Sequence, residues 1–209
     1  MAAPIVPQVS HALEILDFFG ITVFAISGAL VAAEKRQTLV TFIFFAVVTG
    51  VGGGTLRDLL IGVPVFWVHR SGYIYVCLAA AGAVWLLGEQ RWRSSALAWF
   101  DAVGLAAYAV LGAAKALGVG VSPPVAVVMG ALTATFGGIM RDLIAGQPSV
   151  LLKREIYITA AVLAATVFVA ATTLGLEANI AAVVGFVAGF GLRAGAIAFG
   201  WTLPGFART

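Results

Sequence analysis

Seven apolar stretches divide the chain, and short polar segments separate them. A helix needs about 20 mostly apolar residues to cross the hydrocarbon core of a bilayer, and each stretch is close to that length. The segments between them contain the charges, prolines and glycines that are typical of loops. The pattern predicts an all-α membrane protein, a single transmembrane domain over residues 1–209. Its seven transmembrane helices are expected near residues 14–33, 39–62, 73–88, 98–117, 125–146, 156–175 and 179–199.

The composition agrees with that prediction. Of the 209 residues, 62% are hydrophobic and only 10% are charged, and the mean hydropathy is +1.07. Soluble domains carry about a quarter charged residues. The net charge of +3 comes mostly from basic loops, so we expect the lipid bilayer as a partner and no nucleic acid.

Enzymatic activity has little support in the sequence. It contains no nucleophile elbow, no cluster of metal ligands and no phosphate-binding loop. We therefore expect no catalytic residue, no metal site and no cofactor, and we predict that the protein is not an enzyme.

The basic residues of the loops predict the orientation in the cell membrane. Arg70 is the single basic loop residue on one side, and the loops and tail of the other side hold the remaining basic loop residues. Cytoplasmic loops carry an excess of lysine and arginine, so the N-terminus is expected outside and the C-terminus in the cytoplasm. The cytoplasmic set comprises Lys35, Arg36, Arg91, Arg93, Lys153, Arg154 and Arg208.

The first three predicted helices repeat in the next three. When Asp17 is aligned with Asp101, the block Gly53–Leu59 meets Gly137–Leu143 without a gap, and each block contains a Gly-Gly pair and an Arg-Asp pair. Outside the blocks the matched pairs include Gly62 with Gly146, Pro64 with Pro148, and Tyr73 with Tyr157.

A repeat with an odd number of spans enters the membrane from the opposite face. The sequence thus predicts two inverted three-helix repeats, residues 14–88 and 98–175, with a seventh helix at 179–199 outside the symmetry. Inverted repeats with interrupted helices are common in membrane transporters, and corresponding interruptions indicate the pathway.

The glycines of the second helix allow two interpretations. Glycine costs about 1 kcal/mol relative to alanine within a helix, so Gly50, Gly52, Gly53 and Gly54 predict a kinked or unwound second helix, with a kinked fifth helix in the repeat. Alternatively, the glycines allow close helix packing.

The Arg-Asp pairs are the sharper signal. Adjacent helical residues point about 100° apart, so Arg57 and Asp58, and likewise Arg141 and Asp142, are expected to bind other partners. Charges within a span usually face a bundle interior or a wet cavity. Bracing of neighbouring helices is the alternative role.

Counting along the helices places these charges at two mouths. The outer mouth is expected to hold Asp17, Arg57, Asp58 and Lys115. The inner mouth is expected to hold Asp101, Arg141 and Asp142.

Lys115 has no counterpart in the repeat, where its position is Val31. Its amine is expected to bind Asp17 or Asp58 and to block the path for another cation. The alternative is a lysine that extends its amine to the membrane surface.

The doubled motif resembles that of the prokaryotic members of the trimeric intracellular cation channel family, along nearly the whole chain. The resemblance implies a homotrimer with a pore in each protomer, passing potassium or sodium, chiefly potassium. It also implies gating that involves Lys115. Asp17 and Asp101 are further gating candidates because they are expected at the two mouths. The pathway residues carried over are Gly52, Gly53, Gly54, Gly137, Gly138, Arg57, Asp58, Arg141 and Asp142. When the two repeats are aligned, Phe136 takes the position of Gly52, and the second repeat departs from the symmetry there.

The same domain is also described as a bacterial glycine transporter, and a glycine zwitterion suits an Arg-Asp pair. A carrier requires one central site, whereas the pairs are expected near opposite mouths, which favours a channel. The sequence does not say whether Gly28-Ala29 and Gly112-Ala113-Ala114 face their own bundle or a neighbour.

Overall fold

The computed structural model describes residues 11–87, 94–150 and 155–205, and side chains from residue 17 onward, with those of 94–96 left undescribed. These residues form seven α-helices, which confirms the predicted fold class. The helices are α1 His11–Glu34, α2 Leu39–Leu60, α3 Gly72–Leu87, α4 Ser94–Gly118, α5 Pro123–Ile144, α6 Ile158–Thr173 and α7 Ala178–Phe199.

Five of these helices contain an apolar window long enough to cross a membrane, namely α1, α2, α4, α5 and α7. The helices α3 and α6 are apolar but span 16 residues each, about 24 Å at the rise of an α-helix. They occupy corresponding positions in the two repeats. The protein is therefore a multi-pass membrane protein whose third helix in each repeat is short.

Local sequence explains where the helices begin and end. The Thr38 hydroxyl accepts a hydrogen bond from the Thr41 amide and caps α2. Pro123 occupies the first turn of α5, where its missing N–H costs no hydrogen bond. Gly62 and Gly146 follow α2 and α5 with φ of 70° and 63°, a conformation that glycine adopts without a steric penalty.

The bundle core is rich in alanine, so the helices approach closely. The helix α1 packs against α2, α3 and α4, and α4 packs against α5, α6 and α7. A Cβ on Gly28 would overlap the Phe45 carbonyl, and one on Gly112 would meet the Thr133 side chain. These small residues therefore face their own bundle, which answers the question that the sequence left open.

Candidate functional site

The helices α2 and α5 cross at their glycines. A Cβ on Gly53 would overlap the carbonyl oxygen of Thr133, and a Cβ on Gly137 would overlap that of Thr49. Since Gly53 meets Thr133 while Gly137 meets Thr49, residue numbers rise along one helix as they fall along the other. The crossing is antiparallel, and the two contacts correspond under the repeat.

Both helices continue through this crossing. The α-helix extends without interruption through Gly50–Gly54 and through Gly137–Gly138, so the unwinding that the glycines suggested is wrong. Any bend leaves the helix continuous. The structure explains Gly53 and Gly137 by close approach instead, since no other residue lets two helix backbones meet at this distance.

The first group of charges, which we name the α2 cluster, surrounds the carboxylate of Asp58. This side chain is fully buried. Arg57 donates to its Oδ1 through Nε at 2.8 Å, and Lys115 Nζ lies 2.8 Å from the same oxygen. The Phe66 amide donates to Oδ2 at 3.0 Å. One carboxylate thus binds two cations and a backbone N–H.

Asp17 lies beside the α2 cluster and binds two tyrosine hydroxyls. Tyr73 donates to Oδ2 at 2.7 Å, and Tyr108 lies 3.1 Å from Oδ1. Of the two partners expected for Lys115, Asp17 and Asp58, the structure shows Asp58.

The second group, the α5 cluster, consists of Arg141 with two carboxylates and a serine. Arg141 donates to Asp142 Oδ1 at 2.9 Å through Nη2 and to Asp101 Oδ1 at 3.0 Å through Nη1, and its Nη1 also binds the Ser27 hydroxyl. The Val150 amide donates to Asp142 Oδ2 at 3.1 Å. Arg141, Asp101 and Asp142 are each about 4% exposed.

The expectation that adjacent arginine and aspartate would not pair is wrong. Arg57 binds Asp58, and Arg141 binds Asp142, at normal ion-pair distances. The rotation between adjacent helical positions separates the two Cβ atoms, but the long arginine side chain folds back along the helix and brings its guanidinium to the carboxylate. Each aspartate also binds a partner from elsewhere in the chain, as expected.

The two clusters are equivalent by sequence but not in charge. Asp58 and Asp142 each accept a backbone amide from a matched position, Phe66 and Val150. In the α2 cluster Asp58 binds two cations, whereas in the α5 cluster two carboxylates share the single guanidinium of Arg141. Among the described residues, the α5 cluster therefore has an excess of negative charge.

The clusters lie on opposite sides of the helix crossing. The two contacts, Gly53 with Thr133 and Gly137 with Thr49, centre the crossing near residues 51 and 135. Asp58 and Asp142 each lie seven residues (58 − 51 and 142 − 135) beyond that centre, in opposite directions because the helices are antiparallel. At 1.5 Å per residue the two aspartates are separated by about 20 Å along the helix axes. One ligand of the size of an amino acid does not contact both in this conformation.

Three polar residues of this region were missed by the sequence reasoning. Ser27 and Tyr108 have no polar counterpart in the repeat at Leu111 and Phe24, so symmetry did not draw attention to them. Arg193 lies in α7, outside the duplication. The signal that the sequence offered was a charged residue within an apolar helix, and the structure shows that it is buried.

Within the part of the chain that the structure describes, no group of three or more His, Cys, Asp or Glu side chains is placed to hold a metal ion.

Comparison with known families gives one match that covers both repeats. A family model described as glycine transporter matches residues 14–89 and again residues 98–173. The membrane protein UPF0126 of Vibrio cholerae is 35% identical over 203 residues, covering 94% of this chain and 84% of that protein. The inner membrane protein YadS of Escherichia coli K12 is 37% identical over 199 residues, covering 92% and 95%.

Solved structures share the fold along nearly the whole chain. The trimeric intracellular cation channel orthologue from Rhodobacter sphaeroides superposes with a TM-score of 0.88 at 45% identity, covering 93% of this chain and 100% of that chain. A second channel structure, solved to explain conductance through these cation channels, superposes with a TM-score of 0.85 at 31% identity, covering 94% and 98%.

Proposed function

The chain belongs to the prokaryotic branch of the trimeric intracellular cation channel family, which the glycine transporter model also describes, and from this premise we propose that it conducts monovalent cations. The observation that carries the proposal is the superposition on a cation channel at 45% identity over 93% of this chain. We propose potassium as the main permeant ion and a separate pore in each protomer.

The charge of the α5 cluster supports cation conduction over anion conduction. Asp101 and Asp142 share one guanidinium, so a cation that approaches this cluster meets a net attractive field. Buried charges of one sign at the mouth of a path raise the local concentration of the opposite ion.

The pathway is proposed to follow the crossing of α2 and α5. On the α2 side a Cβ on Gly52 would fit without overlap, since its nearest neighbour would be the Gly137 Cα at 4.0 Å. On the α5 side the matched residue is Phe136, which is partly buried. The passage would be lined by Gly52, Gly53, Gly54, Gly137 and Gly138, with Arg57, Asp58, Arg141 and Asp142 beside it.

Gating is proposed to use the ion pair of Lys115 and Asp58. The lysine side chain is 35% exposed, whereas Asp58 is fully buried, so the amine is the member that can leave. Its departure would free the buried carboxylate for a permeant cation. Asp17 and Asp101, bound to tyrosine hydroxyls and to Arg141 respectively, are proposed to adjust with it.

Orientation and assembly complete the proposal. We place the N-terminus outside and the C-terminus in the cytoplasm of a cell-membrane homotrimer. The exposed Lys35 and Arg36 of the α1–α2 loop agree with a cytoplasmic face for that loop. The other basic residues of the cytoplasmic set, Arg91, Arg93, Lys153, Arg154 and Arg208, lie outside the described residues.

The description of the family model supports a second candidate, a carrier for glycine. A zwitterion would bind an arginine through its carboxylate and an aspartate through its ammonium group. Against it stands the separation of about 20 Å between Asp58 and Asp142, because alternating access uses one site that both faces reach in turn.

Planar bilayers and liposomes prepared from one purification distinguish the two candidates. We expect unitary potassium currents in bilayers and no saturable uptake of labelled glycine in liposomes. Lys115→Ala serves as the informative variant, and Lys35→Ala on the exposed loop serves as its control. Saturable glycine uptake without unitary currents would replace the channel by the carrier.

A further inference from the structure

Tyr73 and Tyr157 occupy matched positions in the two repeats but have different neighbours. Phe18 stacks on Tyr73 with ring centroids 4.5 Å apart, and Phe66 meets it edge-on at 4.8 Å. The corresponding positions around Tyr157 are Ala102 and Val150. The second repeat has therefore lost both of the aromatic contacts that hold this tyrosine in the first.

Arg193 of α7 supplies a contact to the Tyr157 ring that Tyr73 does not have from the first repeat. Its Cζ lies 5.2 Å from the centroid of the Tyr157 ring, within the range of a cation–π interaction. Its Nη1 donates to the Ile156 carbonyl at 3.3 Å, and its Nη2 binds Glu155 Oε2 at 2.8 Å. One guanidinium thus contacts three consecutive residues of the segment that leads into α6.

A second contact ties the same segment to the end of α7. Glu155 forms an isolated antiparallel bridge with Thr202, just beyond the helix. Arg193 is 6% exposed and its partners Ile156 and Tyr157 are buried, so these two contacts lie largely out of competition with water, whereas the Glu155 side chain is partly exposed. Residues 155–157 are consequently attached both to α7, through Arg193, and to the chain just beyond it, through Thr202.

The Tyr157 hydroxyl reaches the α5 cluster. It lies 2.8 Å from the position of a Cβ on Gly138, and Arg141 Nη2 and Asp101 Oδ1 lie within 4 Å of that position. In the first repeat the equivalent hydroxyl donates to Asp17. Among the described residues the Tyr157 hydroxyl has no hydrogen-bond partner, so the orientation of its ring sets how closely this buried polar group approaches Asp101 and Arg141.

We propose that Arg193 is a positioning residue of the α5 cluster, acting through the ring of Tyr157. The seventh helix, which has no counterpart in the repeat, thereby controls one mouth of the protein and not the other. Its expected effect on conduction rests on the proposed channel function, whereas its effect on the structure of the cluster does not.

Two matched backbone amides report on the clusters independently of any current. The Val150 amide donates to Asp142, and the Phe66 amide donates to Asp58, at 3.1 and 3.0 Å. In Arg193→Gln we expect the hydrogen exchange of the Val150 amide to accelerate about tenfold, from the loss of a cation–π contact and of the ion pair. The exchange of the Phe66 amide should stay as in the unmodified protein.

Bilayer recordings test the functional part. Arg193→Gln should change the current more at one sign of the voltage than at the other, because the α5 cluster lies on one side of the crossing. Tyr157→Phe should produce the same asymmetry, and adding Arg193→Gln to it should change little further, since both act through one hydroxyl. Tyr73→Phe, at the other cluster, should produce the opposite asymmetry. Arg193→Lys should produce a smaller asymmetry than Arg193→Gln, because a lysine keeps the ion pair with Glu155.

The outcomes separate the two proposals. Accelerated exchange at Val150 alone supports the positioning role even if the unmodified protein passes no potassium, in which case the channel function fails by itself. Equal acceleration at Val150 and Phe66 would overturn the positioning role, and so would unchanged exchange at both. Independent, additive effects of Arg193→Gln and Tyr157→Phe on the current asymmetry would also overturn it.

Discussion

Lys115 of α4 and Asp58 of α2 form an ion pair in which Nζ lies 2.8 Å from Oδ1 and 2.9 Å from Oδ2. The pair occurs once, because Val31 takes the position of the lysine in the first repeat. The carboxylate is fully buried and the lysine side chain is 35% exposed. The amine is therefore the group of the α2 cluster that an incoming cation can replace at the smallest desolvation cost.

Lys115→Ala should increase the potassium current and weaken its dependence on voltage. Moving one charge through the whole membrane potential changes the energy by about 2.3 kcal/mol per 100 mV, so a mobile lysine contributes measurably to that dependence. The stability cost should stay near 1 kcal/mol, since the side chain is partly in water. Bilayer recordings at several voltages measure the first effect. An unchanged voltage dependence would rule out this lysine as the gate.

Gly53→Ala should destabilise the protein, and Gly52→Ala should not. A methyl group on Gly53 would overlap the Thr133 carbonyl, whereas one on Gly52 would have nothing closer than the Gly137 Cα at 4.0 Å. Overpacking costs about 1–3 kcal/mol, and it outweighs the gain of about 1 kcal/mol in helix propensity. Thermal unfolding in detergent compares the two variants. Equal melting temperatures would mean that the crossing is looser than the structure shows.

Gly52→Ala has a second expected effect, which separates packing from conduction. If Gly52 lines the passage, the added methyl group narrows it and lowers the single-channel conductance while the melting temperature does not fall. A conductance equal to that of the unmodified protein would remove Gly52 from the pathway.

The positions of the helices could be predicted from the sequence because a few charged, capping and glycine residues determine where each helix begins and ends. The expected start of the second helix at residue 39 agrees with the structure, because the charged segment at residues 34–37 ends just before the apolar run begins, and the structure adds Thr38 as the capping residue. The matched turns at Gly62 and Gly146 and the antiparallel arrangement of α2 and α5 follow from the duplication. The glycine cluster was harder, because glycine in a helix is compatible both with a break and with a close approach, and only the neighbouring helix distinguishes them.

The details of the charge clusters were less predictable for a physical reason. An arginine side chain is long enough to reach any neighbour within a turn, so helical spacing does not determine whether Arg57 binds Asp58. Arg193 could not be assigned from symmetry because α7 has no repeat partner. Lys115 could be singled out from the sequence because the repeat has no matching lysine. That it binds Asp58 and not Asp17 could be known only from the structure, in which Tyr73 and Tyr108 bind Asp17.

Asp101→Asn should reduce the selectivity for cations over anions. The substitution leaves Arg141 paired with Asp142 alone and removes the excess negative charge of the α5 cluster. The reversal potential in a potassium chloride gradient should move toward zero. Loss of the ionic hydrogen bond should cost about 1–3 kcal/mol of stability.

Asp58→Asn is the matched comparison and should cost more stability. It leaves Arg57 and Lys115 without the carboxylate that they share, and breaking a buried pair typically costs about 3–5 kcal/mol. Unfolding curves of the two asparagine variants give the order. A larger loss for Asp101→Asn would contradict the charge balance that we assign to the two clusters.

Phe136→Ala tests whether the departure from symmetry restricts the pathway. Phe136 stands where the first repeat has Gly52, and it is partly buried beside the crossing. If its ring narrows the passage, the variant should show a larger single-channel conductance despite a loss of stability. Phe42→Ala is the control, because Phe42 is 4% exposed and packs edge-on against Trp85 of α3. That variant should lose about 3–5 kcal/mol of stability with no change in conductance. Single-channel conductance does not depend on how many molecules are folded, so an increase that is specific to Phe136→Ala can come only from the shape of the pathway.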